Sequence, residues 1–256
     1  MSVPGPGPND QTEPTAGRPV DPPAAGTDAE LDLLAQAIET GDRDAAVGAT
    51  DRTIAAGCPP QAILDAMTGA MDIVGERFGA GEIFVPEMLV SARAMKDSMA
   101  RLEPLLVRAG IQPEARAIIG TVRGDLHDIG KNLVGMMWRG ANIEVVDLGV
   151  NVTADQFVAA VAEHRPDLIG LSALLTTTMA SMKAIVAALR ATELGGARII
   201  VGGAPVNAEF AERVGADGYA EDAGAAVVVA RRLLNLGGAG AVGAVAVATP
   251  PAGPAR

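Results

Sequence analysis

Apolar residues recur along this chain with two different periods, and the change of period divides it. From Asp28 to about residue 111 the spacing is helical. Leu31, Leu34 and Ile38 share one face behind Asp28, a residue type suited to capping, and Gly41 stops the run. Asp42 can cap a second helix that ends at Gly57. Pro59-Pro60 opens a third, with Ile63, Met67, Met71, Val74 and Phe78 at helical spacing. A turn at Gly79-Ala-Gly81 leads through Glu82–Pro86 into a fourth helix carrying Leu89, Ala92, Met95, Met99, Leu102 and Leu106. Four helices joined by short loops predict a small antiparallel bundle.

After Pro113 the apolar runs shorten to strand length: Ala115–Val122, Glu144–Leu148, Leu168–Leu174 and Ile199–Val201. They alternate with helical stretches over 128–140, 153–165, 178–191 and 205–214. A weaker strand, Gly218–Ala220, precedes a last helix from Ala223 to Leu236. Such alternation implies a parallel sheet covered by helices on both faces. Five strands suit the doubly wound, flavodoxin-like order 2-1-3-4-5, whose switch point lies between strands 1 and 3. The expected fold is therefore α/β: an N-terminal four-helix bundle cap over 28–111, then a five-stranded parallel-sheet domain over 113–236. Residues 1–27 and 237–256 are rich in Pro, Gly and Ala without periodicity and are expected to be disordered tails. The second tail holds Gly238-Ala-Gly240-Ala-Val-Gly243, formally a GxGxxG. It follows a helix rather than a strand and so lacks the context a dinucleotide site needs.

Composition narrows the chemistry. Of 256 residues 49% are hydrophobic but only 2% aromatic, so the core must be built from Ala, Val, Leu, Ile and Met. The ten methionines read as flexible core fillers. A net charge of −11 argues against a nucleic-acid or anionic-membrane partner. The single cysteine, Cys58, excludes a disulfide framework and a thiolate metal cluster. No run approaches the ~18–20 apolar residues of a membrane span. No positive patch followed by an apolar segment marks a signal peptide, and a cytoplasmic location is the expectation.

The candidate chemistry lies in Asp125-Leu126-His127-Asp128-Ile129-Gly130, a turn between the first strand and the next helix that holds one of two histidines. In doubly wound sheets ligands bind outside the carboxyl ends of the strands at the switch point. This turn should therefore lie beside Ser172–Thr178, after strand 3, and near Gly202-Gly203, where missing side chains permit close approach. An imidazole that ligates a metal has its other N–H held by a carboxylate, and Asp125 is placed to reach His127. A hydroxyl from the strand-3 segment can extend that relay towards solvent. On the residues alone a loop histidine is more often structural or exposed, and His164, at a helix end before Arg165-Pro166, reads as a surface residue. With so few ligands a four-residue zinc site is excluded, so a metal on His127 has to come inside a cofactor. A phosphate loop is the competing reading of Gly130-Lys131-Asn132. Asp125 stands where that motif needs glycine, Asn132 where it needs Ser or Thr, and a carboxylate would repel phosphate.

Taken together, Asp125-x-His127-x-x-Gly130, Ser172-x-Leu174 and Gly202-Gly203, at these intervals, resemble the signature of cobalamin-binding domains. Upstream, Val74–Phe78, Phe84–Met88 and Ser91–Lys96 resemble the helical cap of cobalamin-dependent methyltransferases, as in the cap and cobalamin-binding domains of methionine synthase. The resemblance spans about Asp28 to Leu236. It implies that His127 is the lower axial ligand of cobalt, displacing the cofactor's own dimethylbenzimidazole. Asp125 would hydrogen-bond His127, and Thr178, where the family often has serine, would complete a proton relay. Gly130 and Leu174 belong to the cofactor-binding signature. Ser172 and Thr176 would line a channel for the displaced nucleotide tail, Gly202 and Gly203 would leave room for it, and the turn at Ala223 would close over it. Phe78 and Val85 match cap positions that shield the upper face, although ordinary bundle core demands apolar residues there too.

The implied cofactor is cobalamin, accepting a methyl group as cob(I)alamin and surrendering it as methylcobalamin. With only a cap and a cofactor domain, the chain shows no site for a methyl donor or acceptor. The family parallel is the corrinoid subunit of a multi-component methyltransferase, itself non-catalytic. It shuttles methyl groups between a substrate-specific methyltransferase and an acceptor methyltransferase acting on tetrahydrofolate or a thiol, with a reductive activase as a further partner. The cap must then swing aside, with Gly110–Pro113 as a reasonable hinge. The alternative is a cobalamin- or light-responsive regulator acting through protein contacts, since residues 1–27 are too short and proline-rich for a DNA-binding segment. A mutase subunit generally lacks this cap.

Overall fold

The computed structural model describes residues 27–192 and 196–236. The expected tails, apart from Thr27, and the GxGxxG at 238–243 lie outside the described residues. Four helices come first: α1 (Thr27–Thr40), α2 (Arg43–Ala55), α3 (Pro60–Gly79) and α4 (Val85–Ala109). Asp42 caps α2, its carboxylate accepting from Ala45 N at 3.0 Å. Asp28 is not the cap expected of it. It sits inside the first turn of α1, where a negative charge still suits the positive end of the helix. Pro60 opens α3, where its missing N–H costs nothing. Gly110, at φ 72°, closes α4 while Ile111 N donates to Leu106 O at 2.9 Å.

The second half alternates strand and helix throughout. Its elements are β1 (Ala115–Thr121), α5 (Ile129–Gly140), β2 (Ile143–Asp147), α6 (Ala154–His164) and β3 (Leu168–Ser172). A 3-10 turn (Thr176–Thr178), α7 (Met179–Arg190), β4 (Arg198–Gly202), α8 (Ala208–Val214), β5 (Gly218–Ala220) and α9 (Ala223–Leu234) complete it. The sheet order is β2-β1-β3-β4-β5 and every pairing is parallel, the doubly wound topology expected from the alternation. The seventh helix starts one residue later than its apolar period suggests, because Thr178 belongs to the preceding 3-10 turn.

With aromatics scarce, two large side chains anchor the two faces of the sheet. Phe157, on α6, sits over Gly120 of β1, where a Cβ would lie 2.8 Å from its Cζ. Trp138, on α5, sits over Gly170 of β3, where a Cβ would lie 2.8 Å from its Cη2. Both aromatics are fully buried, and the indole N–H of Trp138 donates to Ala226 O at 3.1 Å, so no donor is stranded. The glycines in the central strands therefore make room for the few large residues available.

The cap shares its core with one face of the sheet domain. Leu34, Met67, Met71 and Val74 belong to the same buried apolar cluster as Met137, Trp138, Ala223 and Ala226. A second cluster, containing Phe157, Met182 and Phe210, fills the opposite face. Helix α3 meets α9 where both carry glycine: a Cβ on Gly224 would come within 2.5 Å of Gly75 O. Asp72 and Arg231 form an ion pair across the same seam. The cap is thus seated by close backbone contact, and no described helix is long and apolar enough to cross a membrane.

This seam can be tested by adding one methyl group. Gly224→Ala forces α9 off α3 and should cost about 1–3 kcal/mol. Gly69→Ala, on α3 with nothing within 4 Å of the new Cβ, should stabilise by up to about 1 kcal/mol through helix propensity. Urea unfolding of the two variants measures both signs.

Candidate functional site

Past Thr121 the chain leaves the sheet and turns back over its carboxyl edge. Asp125, at the centre of this turn, is completely buried. One carboxylate oxygen, Oδ1, accepts from His127 Nδ1 at 2.7 Å and from His127 N at 3.1 Å. The other, Oδ2, accepts from Leu174 N at 2.7 Å and Thr178 Oγ1 at 2.9 Å, with Leu175 N at 3.4 Å. The segments after β1 and β3, about fifty residues apart, are therefore tied through one side chain. Thr121 Oγ1 adds a bond to His127 O at 2.9 Å.

Burial alone would push the Asp125 carboxyl up, since it removes the charge from water. The donors from Leu174, His127 and Thr178 outweigh it and hold the group well below the usual carboxylate range. An ionised carboxylate can only accept, so Nδ1 of His127 carries a proton, and in the neutral imidazole that leaves the lone pair on Nε2. The imidazole remains 52% exposed. Around it lie apolar side chains left open to solvent: Leu126 (71%) and Ile129 (73%) on its own turn, Val150 after β2, and Leu174 and Leu175 after β3. A fixed nitrogen donor on a broad apolar platform can ligate a metal whose other ligands form a flat, largely apolar ring. Among the described residues no group of three or more His, Cys, Asp or Glu side chains could hold a bare metal ion.

Thr178 completes the set of donors around Asp125. Its hydroxyl is buried, and its single proton is shared between Asp125 Oδ2 and Leu175 O, which lies 2.8 Å away. In this geometry it braces the carboxylate.

Beside the platform a crevice of about 240 Å³, almost wholly apolar, runs between α5, α9 and the ends of β3, β4 and β5. Gly130, Ser172, Gly202, Gly203, Ala223 and Phe78 all line it. Thr176 does not, because it is exposed at the start of the 3-10 turn; Leu174 is exposed on the platform. Val85 is half-buried against the cap core, and its neighbour Phe84 is the exposed one. The two glycines after β4 have a reason within the protein: a Cβ on Gly203, at φ 116°, would lie 1.9 Å from Ala173 O, and one on Gly202 2.8 Å from Ala220 O. Gly130 has none, since its Cβ would meet nothing within 4 Å. A wider groove of about 1230 Å³ between α3 and α9 shares only Glu221 and Asp222 with this crevice and contains no histidine.

Three site residues escaped the sequence reasoning. Lys131 is buried, its ammonium paired with Asp147 Oδ2 at 2.5 Å and Asn132 Oδ1 at 2.6 Å. Asn151, at φ 56°, accepts from Gly124 N at 2.8 Å. Nothing local distinguishes a buried lysine in the first turn of a helix from a solvated one; the Asp147-x-Gly149-x-Asn151 spacing after β2 was the available signal for the other two.

Two family patterns, each described as a B12 binding domain, match the chain, one over residues 115–228 and the other over residues 30–103. A corrinoid protein of Desulfitobacterium hafniense is 37% identical over 210 residues, covering 80% of this chain and 97% of the relative. A dimethylamine corrinoid protein of Methanosarcina acetivorans is 35% identical over 206 residues, covering 80% of this chain and 97% of that one. Among solved structures, a chain of the methanol:cobalamin methyltransferase complex from Methanosarcina barkeri is 31% identical with a TM-score of 0.71, covering 81% of this chain and 80% of that one.

The Asp125 carboxyl makes a pH prediction. A group held below its unfolded value stabilises the fold above about pH 4 and loses that contribution as pH falls through its native value. Asp125→Asn should therefore cost roughly 2–3 kcal/mol at neutral pH. The gap from the parent protein should narrow as pH falls below about 4, read from denaturant midpoints across the pH range.

Proposed function

The chain belongs to the family of B12-binding corrinoid proteins of methyltransferase systems, and from that premise we propose that it carries methyl groups on a cobalamin held base-off, with His127 on the cobalt. The observation that carries this reading is the Asp125–His127 pair, with one tautomer fixed and Nε2 unpartnered on an apolar platform beside an apolar crevice. Gly130 supports the fit: it is glycine with no protein atom within 4 Å of a Cβ position, at the edge of that crevice. Room of this kind suits a ligand passing between platform and crevice.

When bound, cobalamin supplies a strongly nucleophilic cobalt in its reduced form and an activated methyl donor in its methylated form. The chain's own residues do the rest. His127 holds the metal, and ionised Asp125 keeps the imidazole proton on Nδ1 and raises the basicity of Nε2. Thr178 braces Asp125. Ser172, Gly202, Gly203 and Ala223 border the crevice for the displaced nucleotide tail, and Phe78 closes it from the cap side. Gly130, at the crevice edge, and exposed Leu174 would border the bound cofactor. Val85 and exposed Phe84 are the apolar cap residues available to exclude water from the reacting face, with Thr176 at the rim.

The working parts are then the cap, 28–111, and the cofactor domain, 113–236, linked through Gly110–Pro113. The relatives are named a dimethylamine corrinoid protein and a chain of a methanol:cobalamin methyltransferase complex. For this chain we propose a substrate-specific methyltransferase as donor partner, an acceptor methyltransferase acting on tetrahydrofolate or a thiol, and a reductive activase. Specificity for the methyl donor resides in the partner, since the crevice and platform are committed to the cofactor.

Electron paramagnetic resonance of protein loaded with cob(II)alamin tests the ligand. Coupling to one axial nitrogen should change from a triplet to a doublet when the histidines are labelled with 15N. His127→Ala should abolish the doublet. A triplet indifferent to labelling would mean that the cofactor's own base stays on the metal, and the assignment of His127 would be wrong.

A further inference from the structure

We propose that Asn151, on the loop after β2, is a positioning residue for the axial histidine. The inference rests on His127 being the cobalt ligand and adds what holds that ligand in place. Asn151 grips the turn from two sides: its Oδ1 accepts from Gly124 N at 2.8 Å, and its own N donates to Asp125 O at 3.0 Å. Among the described residues no other side chain bonds the backbone of Gly124 and Asp125. Its backbone lies in the left-handed region, at φ 56°, which asparagine tolerates better than most residues, and its two bonds hold the peptide units on either side of the Gly124–Asp125 step.

The loop that carries Asn151 is itself anchored on both flanks. Thr121 N donates to Gly149 O and Val152 N donates to Thr121 O, each at 2.9 Å. Asp147 Oδ1 accepts from Gly149 N at 2.8 Å, while its Oδ2 takes the buried ammonium of Lys131. Lys131 lies in the first turn of α5, four residues after His127. The constraints therefore close a ring: from the histidine turn into α5, through Lys131 to Asp147, along the loop to Asn151, and back to the turn. A buried lysine charge is costly unless paired, so Asp147 cannot drift without stranding it.

Closure of this ring matters because metal–nitrogen bonds hold their lengths within about 0.2 Å, whereas an exposed turn ordinarily wanders further. Asp125 orients the imidazole ring, but the carboxylate can do so only while its own backbone stays in place. Asn151 supplies that backbone restraint from outside the turn.

The experiment uses full-length protein with 15N-labelled histidine and cob(II)alamin, comparing wild type, Asn151→Gly and Asn151→Asp. Glycine keeps the left-handed backbone and the N–H donor and removes only the acceptor; aspartate restores an acceptor oxygen. Asn151→Gly should still bind cobalamin, with thermal unfolding of the cofactor-free protein close to that of wild type. Its ratio of histidine-on to histidine-off cobalt should fall about 10- to 100-fold, the size usual for a residue that orients a metal ligand. Asn151→Asp should recover most of that loss. An undiminished doublet in Asn151→Gly overturns this inference alone, as does a loss that aspartate fails to recover. A wild-type protein without the doublet overturns the ligand assignment and this inference with it.

Discussion

A single buried carboxylate holds this structure's working edge together. Asp125 receives hydrogen bonds from Leu174 N, Thr178 Oγ1 and both the ring and backbone N–H of His127. Each of those donors sits on a loop that leaves the sheet where the ladder ends, so each would otherwise seek water. Collecting them on one charge does three things at once. It satisfies the loops after β1 and β3, keeps the carboxyl ionised despite burial, and fixes the histidine tautomer. The chemistry and the local fold share a cause, which is why neither can be altered at this point without altering the other.

Around that node the protein is built from small residues, and its shape follows. With aromatics scarce, glycines in β1 and β3 let Phe157 and Trp138 reach the sheet directly. The same economy appears at the cap, where Gly75 and Gly224 allow α3 and α9 into backbone contact and Met71 fills the remaining space against Gly140. A cap seated this way shares a core with the domain beneath, so exposing the site to a partner means separating packed surfaces. A partner that binds only the open arrangement must provide the free energy difference from its own contacts.

The crevice and the platform offer two different surfaces at the same edge of the sheet. The crevice is apolar and enclosed by strand ends, two helices and Phe78 from the cap. The platform is apolar and open, with one nitrogen donor in it. On the proposed reading, binding strength comes from a part of the cofactor remote from the cobalt, which leaves the axial position free to respond to its surroundings.

The amino-acid pattern determined the alternation of elements, the parallel order 2-1-3-4-5 and the place of the histidine turn, because hydrophobic period and strand-to-helix punctuation are local properties. It also foretold that Ser172–Thr178 and Gly202-Gly203 would come to that edge, since topology dictates which strand ends are neighbours. Capping was less legible: Asp28 has the right residue type but lies inside its helix, because the hydrogen-bonded start depends on more than the side chain. Only the tertiary structure decided that Thr178 is buried and braces Asp125, that Thr176 does not line the crevice, and that Gly203 answers to Ala173 O. It alone placed Lys131, which has no local signal, in the site and showed what Asn151 bonds. Their partners lie far along the chain, on Asp147 and on Gly124, and a bond between loops that meet only after the sheet has formed leaves no periodic trace in the residues that make it.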